Sequence, residues 1–194
     1  WIKFSDTAVY SIEGYPWQPE QININEGWNL VGPFDKDIPV ASVLSEPAGI
    51  LMSGFFGFRD GYFEADTLKA GKGYWVRTSA SGYLYAQAAA GIAVQRSGEL
   101  PDGMIRLSFT SGEGSNAGLY LGRASQMNGT YYLPPVPPSG IFDVRFGSDK
   151  YVEDIAQTNT VKINSTGGET ILTMHEANGT TLRVKDPVDG SILD

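Results

Sequence analysis

Glu26-Gly27-Trp28-Asn29-Leu30-Val31-Gly32 and Ala65-Asp66-Thr67-Leu68-Lys69-Ala70-Gly71-Lys72-Gly73-Tyr74-Trp75-Val76 carry the most structural information in the chain. Each sets a Trp in a short apolar run behind a glycine, where the backbone must turn tightly or pass close to another strand. Neither run carries chemistry. The pattern is that of a small β core, with Trp28 and Trp75 expected inside it.

Working outward, glycine is abundant, prolines separate short apolar runs, and long segments of 3.6-residue periodicity are missing, so an all-β fold is expected. Strands are expected at 7–13, 21–25, 28–32, 50–52, 61–63, 74–78 and 83–87. One short helix is expected near 38–46, capped by Asp37, carrying Val40, Val43 and Leu44, and stopped by Pro47. The chain changes character over 88–102, where Ala-rich and then Gly/Pro/Asp-containing sequence marks a domain junction. We therefore expect two β domains, residues 1–95 and 96–194.

In the second domain, Ile105, Leu107 and Phe109 share one strand face, as do Phe142, Val144 and Phe146, with Asp143 and Arg145 paired on the other. Further strands are expected at 119–121, 161–163, 171–175 and 182–184. Asn178-Gly179 predicts a two-residue turn between 171–177 and 180–185, and Asn128-Gly129 a second one. Strands at this spacing predict a β-sandwich. The two halves are not copies of each other.

Composition narrows function. With 194 residues and sparse charge the chain can bury a real core, and its formal charge of -8 disfavours nucleic acid as a partner. No basic amphipathic helix and no apolar run of about 20 residues supports membrane insertion. The absence of cysteine excludes thiolate nucleophiles, redox thiols and zinc–thiolate sites. The chain opens on Trp1 rather than Met, which reads as a processed or excised piece of something longer.

No catalytic constellation emerges. His175 is the only histidine, and it has no second His at zinc-helix spacing, so it reads as a strand residue. Gly71-Lys72-Gly73 lacks both the upstream glycine and the following Ser/Thr of a phosphate loop. Gly112-Glu113-Gly114 with Gly118 is too long for a dinucleotide fingerprint and reads as a hairpin loop. Asp35 with Asp37, Asp60 with Asp66, and Asp186 with Asp189 make oxygen-rich turns of a kind that can hold calcium. Local backbone hydrogen bonds are their commoner use, so the expectation is no cofactor, with structural calcium as the alternative. Glu13, Glu26, Glu64 and Glu99 are the acids available for paired-carboxylate hydrolysis, but a sandwich this small rarely provides a deep cleft, and no enzyme is expected.

The densest aromatic group is Phe55, Phe56, Phe58, Tyr62 and Phe63. Core packing is the commoner fate of such rings, and sugar stacking is the alternative, to which Tyr83 and Tyr85 also lend themselves. Leu133-Pro134-Pro135-Val136-Pro137-Pro138 reads as a stiff polyproline connection between strands that also protects a sheet edge.

The Gly-Trp-Asn-Leu strand, the run from Ala65 to Val76 and Leu-Pro-Pro-x-Pro-Pro-x-Gly-x-Phe-Asp-Val-Arg-Phe at 133–146 together resemble a known kind of region. It is the C-terminal, non-catalytic β-rich part of large secreted bacterial surface proteins of the type IX (Por) secretion kind. The sorting tail itself is not recognisable before Asp194. The resemblance implies export, a place on or outside the cell, and no catalytic residues. The expected function is thus a structural or spacer module whose partners are other domains of the parent protein or neighbouring subunits. A glycan-binding module, with polysaccharide as partner, is the first alternative. The second is a fibre subunit that adds Trp1, Ile2, Lys3 and Phe4 as a strand to a neighbour.

Overall fold

The alternation Tyr74-Trp75-Val76-Arg77-Thr78 buries Tyr74, Val76 and Thr78 and leaves Trp75 and Arg77 half-buried, as a strand with one face on a core requires. The computed structural model from which this is read describes residues 13, 21–32, 35–86, 100, 103–127, 129–165, 167–175, 179–186 and 190–193. The chain is all-β.

The N-terminal half contains β1 (Ile22–Ile24), β2 (Gly27–Val31), β3 (Ile38–Pro39), β4 (Val43–Glu46), β5 (Phe55–Phe58), β6 (Tyr62–Ala65), β7 (Thr67–Leu68), β8 (Tyr74–Thr78) and β9 (Gly82–Ala86). They form a four-stranded sheet in the order β2-β8-β5-β6, a three-stranded sheet β1-β9-β4 and the pair β3-β7. Ile24, Val31, Val43, Phe55, Val76 and Leu84 meet in one buried cluster. At Gly82 the backbone passes so close to Glu46 that a Cβ would sit 2.1 Å from its carbonyl oxygen.

The C-terminal half contains β10 (Ile105–Ser111), β11 (Asn116–Gly122), β12 (Asp143–Phe146), β13 (Val152–Asp154), β14 (Val161–Asn164), β15 (Thr170–His175), β16 (Val184–Lys185) and β17 (Ile192–Leu193). A four-stranded sheet, β13-β11-β10-β15, and the pair β12-β14 share a core of Ile105, Leu107, Phe109, Leu119, Leu121, Phe142, Val144 and Phe146. The apolar faces expected of β10 and β12 both point into it. β13 joins β11 in parallel, and the other pairings in this half are antiparallel.

Several expectations need correction. The helix at 38–46 reduces to one 3-10 turn, Val40–Ser42, between β3 and β4, and its N-cap is Pro39 without a side-chain cap. A segment this short cannot repay helix nucleation, and the alternation that buries Val43 and Ser45 is a strand pattern. Asp37 instead accepts from Lys69 Nζ at 2.8 Å and from the Ala70 amide at 2.9 Å. The expected strand at 50–52 shrinks to a single bridge, Leu51↔Thr78. Glu13 is exposed and outside any strand, and the rest of the strand expected at 7–13 lies outside the described residues.

The Asn178-Gly179 hairpin is overturned. Thr170–His175 pairs with β10, and Val184–Lys185 pairs with Ile192–Leu193 across the following turn. Gly179 does take a positive φ of 77°, while Asn178 lies outside the described residues. A turn dipeptide specifies local reversal only; β10 offers β15 a six-residue ladder, which outweighs the short partner at 184–185. At Asn128-Gly129 no hairpin joins two strands either, because the flanking chain is a 3-10 turn, Ala124–Gln126, on one side and the single bridge Tyr132↔Lys150 on the other.

Trp28 and Trp75 are half-buried rather than core residues. Register explains it: Trp28 opposes Arg77, and Trp75 opposes Leu30 and Phe56, so these side chains share the outer face while Val31, Tyr74 and Val76 take the inner one. Replacing Gly82 with Ala is expected to lower stability by about 1–3 kcal/mol, because backbone rather than a yielding side chain opposes the added carbon. A denaturant midpoint unchanged from the parent would contradict the close β9–β4 approach.

Candidate functional site

β12 is buried along its whole length, on both faces. Its apolar side chains fill the sandwich core, and its polar ones, Asp143 and Arg145, face the other way beneath the proline-rich segment. Arg145 Nε donates to Asp143 Oδ2 at 2.6 Å and Nη2 to Oδ1 at 2.9 Å, the two-pronged geometry that suits a planar guanidinium and a carboxylate. Nη1 donates to the Pro134 carbonyl at 3.0 Å. Only 2% of the Arg145 surface and 6% of Asp143 reach solvent. The pairing expected from the alternation at 142–146 is therefore present, and the segment expected to be a stiff connection supplies its third partner.

One residue further on, the Pro135 carbonyl accepts a 2.7 Å hydrogen bond from the Tyr62 hydroxyl, which comes from the N-terminal half. Burial pushes the Tyr62 phenol up to about 12, with the nearby Arg145 guanidinium pulling the other way. Beside it the two halves meet ring to ring. Trp28 stands edge-on to Phe56 at 6.2 Å, and Phe56 edge-on to Tyr151, also at 6.2 Å. Tyr151 in turn packs against Tyr131 and Tyr120, at 5.7 and 6.4 Å. Burial raises the Tyr151 phenol well above its usual range, and the Glu64 carboxylate adds to the shift.

Two further contacts close the seam. Thr130 Oγ1 donates to the Met52 carbonyl at 2.8 Å, and the Arg77 guanidinium lies over the Tyr132 ring at 4.3 Å. The void left between Met52, Phe56, Tyr131 and Tyr151 measures about 10 Å³, roughly one water. Among the described residues no buried side-chain polar atom lacks a partner. A seam so filled has no room for a substrate. It packs the N-terminal and C-terminal halves against each other.

A second concavity of about 330 Å³ opens where the tips of the β5–β6 and β10–β11 hairpins approach the segment entering β12. Phe58, Arg59, Asp60, Ser111, Ser115 and Ser165 contribute to its walls.

The sequence-predicted residues divide between these places and elsewhere. Phe55 and Phe56 are buried at 1% and 5% exposure, the first in the N-terminal core and the second in the seam. Tyr62 is the seam anchor, Phe58 borders the groove, and Phe63 is exposed, with Arg59 over its ring at 5.9 Å. Tyr83 and Tyr85 are half-buried neighbours on β9, their rings tilted by 48°. They form no coplanar platform. Trp1, Ile2, Lys3 and Phe4 lie outside the described residues, as do Glu99 and Asp189.

The chain matches no family model, no curated protein and no solved structure.

Among the acids, Glu26 and Glu64 are exposed. Asp37 makes an exposed ion pair with Lys69; the hydrogen bond from Lys69 holds its carboxyl below the usual range, and the same bond holds the ammonium above its own. Asp60 sits in the β5–β6 turn. The Asp186 amide donates to the Ser191 carbonyl and its carbonyl accepts from the Gly190 amide, main-chain bonds that close the turn between β16 and β17. Among the described residues no three His, Cys, Asp or Glu side chains gather as metal ligands would. His175 is exposed at the end of β15, opposite Arg106. Gly112-Glu113-Gly114 is the hairpin loop between β10 and β11, with the Gly114 amide donating to the Ser111 carbonyl at 2.9 Å.

Sequence reasoning missed Tyr151, Tyr131, Thr130 and Arg77. Their contacts join residues far apart in the chain, and no local pattern marks them. The only available signal was the density of tyrosine around the Pro-Pro run.

Replacing Asp143 with Ala is expected to cost about 3–5 kcal/mol, because it strands a buried guanidinium. Denaturant melts at neutral pH measure it, and a loss near zero would refute the closed seam. Tyr62→Phe removes only the anchor and should cost about 0.5–1.5 kcal/mol. A pH dependence follows. The folded Tyr62 phenol is raised to about 12, whereas in the unfolded chain it titrates near 10. Stability is then full below about pH 10 and falls as pH rises through about 12, since the unfolded state releases its proton first. Alkaline stability curves of the parent should drop more steeply over that window than those of Tyr62→Phe.

Proposed function

We propose that this chain is a non-catalytic structural module of an extracellular bacterial surface protein, in which two small β domains act as one stiff unit. The observation that carries the reading is the seam. A buried ion pair, two proline carbonyls and a chain of edge-on rings tie one core to the other. An enzyme or ligand carrier gains from a gap between domains, where binding sites commonly sit. A spacer gains from closing that gap, because a filled seam transmits force and orientation. The resemblance of the 28–31, 65–76 and 133–146 motifs to the non-catalytic part of secreted surface proteins supports the extracellular assignment and makes other domains of a parent protein the natural partners.

The test is unfolding cooperativity. The parent should melt in one transition, monitored together by tryptophan fluorescence, which reports Trp1, Trp17, Trp28 and Trp75, all in the N-terminal half of the sequence, and by C-terminal amide signals in NMR. A variant carrying both Tyr62→Phe and Thr130→Val should separate the two signals, the halves melting at different denaturant concentrations. Independent melting in the parent would overturn the rigid-unit reading. Detection of the chain only inside intact source cells, by surface labelling, would overturn the location.

A further inference from the structure

We propose that β15 (Thr170–His175) is a dimerisation edge, on which a second copy of this chain lays its own β15 antiparallel and continues the C-terminal four-stranded sheet across a two-fold axis. The pairing stands on β15 alone and draws nothing from the seam or the spacer role.

β15 pairs with β10 on one side, and among the described residues no strand pairs with its other side. The register says which main-chain groups are left over. One step beyond the strand the Gly112 amide donates to the Glu169 carbonyl at 3.0 Å, so Glu169, Ile171, Thr173 and His175 turn their main-chain groups toward β10. Those of Thr170, Leu172 and Met174 point away from it, along a free edge.

The side chains are open as well. Leu172 and Met174 lie opposite Phe109 and Leu107, on the face that covers the core, yet they remain 36% and 41% exposed; Ile171, on the other face, is 56% exposed. Natural sheets guard their edges against such exposure. At the far end of the same sheet β13 is three residues long and carries Glu153 and Asp154, a short charged edge that discourages a further strand. β15 has six residues, no Lys, Arg, Asp, Glu or Pro, and one ionisable side chain, that of His175.

That the occupant is the same strand follows from self-complementarity. Outward-facing residues must meet outward-facing residues, and a two-fold axis at Leu172 achieves this: Leu172 opposes its own copy, and Thr170 opposes Met174 of the second copy. Each of these pairs exchanges both main-chain hydrogen bonds. The intervening positions set Ile171 against Thr173 and, at the two ends, His175 against Glu169 of the second copy, both exposed in the single chain. Here the charges complement each other. An imidazole donates to a carboxylate in either protonation state, and the next residue in that row is Arg106, which makes no ion pair among the described residues. A register shifted by two residues loses the match, because Glu169 then opposes Thr173 or falls past the end of β15. Affinity is modest, since one strand edge buries less than the roughly 800 Å² per partner of a standard stable interface.

The test is sedimentation of the whole chain from micromolar to millimolar concentration, with NMR over the same range. The mass is expected to rise to two chains and stop there. The amides of Thr170, Leu172 and Met174 should shift with concentration and gain protection from exchange, while those of Ile171 and Thr173, already turned to β10, are protected throughout. Glu169→Lys, an exposed change, should weaken the dimer about threefold to tenfold, because a favourable pair at each end becomes a repulsive one. Combining it with His175→Glu restores an opposite-charge pair and should recover the parent's affinity. Leu172→Cys, in a chain without other cysteines, should cross-link into dimers under mild oxidation, since hydrogen-bonded partners across the axis have Cα atoms about 5.5 Å apart. The proposal is overturned if the mass stays at one chain, or if it grows past two, as head-to-tail addition of Trp1–Phe4 would make it. It is equally overturned if the shifting amides lie elsewhere, if Leu172→Cys forms no cross-link, or if the double variant associates no better than Glu169→Lys.

Discussion

Burying a guanidinium is the constraint around which this molecule is arranged. A guanidinium carries five N–H donors and no acceptor, so every donor that Arg145 takes out of water must find an acceptor, and a single carboxylate does not suffice. Asp143 supplies two acceptors from the same strand, and the third comes from Pro134. A proline carbonyl suits the task, since the residue brings an acceptor without a backbone N–H that would itself need a partner. Once Pro134 is held down, Pro135 presents its carbonyl outward to Tyr62, and the N-terminal half is drawn onto the C-terminal one. The ion pair adds little net stability by itself. It determines where the proline segment lies, and that position determines where the halves meet.

Much of this was legible locally. β8 falls at the expected limits, β2, β9, β10, β14 and β15 within a residue or two, because strict alternation in a short run has few other solutions. The Asp143–Arg145 pair was legible too, since strand residues two apart share a face. What failed was inference from local signals to non-local pairing. Asn178-Gly179 looks like a hairpin turn, yet the strand before it finds its ladder in β10, whose side chains Leu107 and Phe109 sit beside Met174 and Leu172. The helix at 38–46 failed because Val43 and Leu44 serve a strand beside β9.

The two tryptophans show the same limit from another side. Alternation says that Trp28 and Val31, or Trp75 and Val76, face opposite ways; it does not say which face is the core. Val31, Tyr74 and Val76 took the inner face, and the tryptophans, together with Leu30, the outer one. That outer face is not simply wet, because Trp28 leans on Phe56 and Phe56 on Tyr151. Large rings on the second face of a sheet are what a chain needs when that sheet must bury something twice, once against its own core and again against a neighbour. The same logic covers β12, whose four residues are all buried for want of a solvent side.

The groove and the seam are coupled through a single hairpin. Tyr62 lies on β6 with its hydroxyl on Pro135, and its ring sets Phe58 on β5, while the turn between them carries Arg59 and Asp60. A displacement of the N-terminal half would therefore carry one wall of the groove away from the other, since Ser111, Ser115 and Ser165 belong to the C-terminal half.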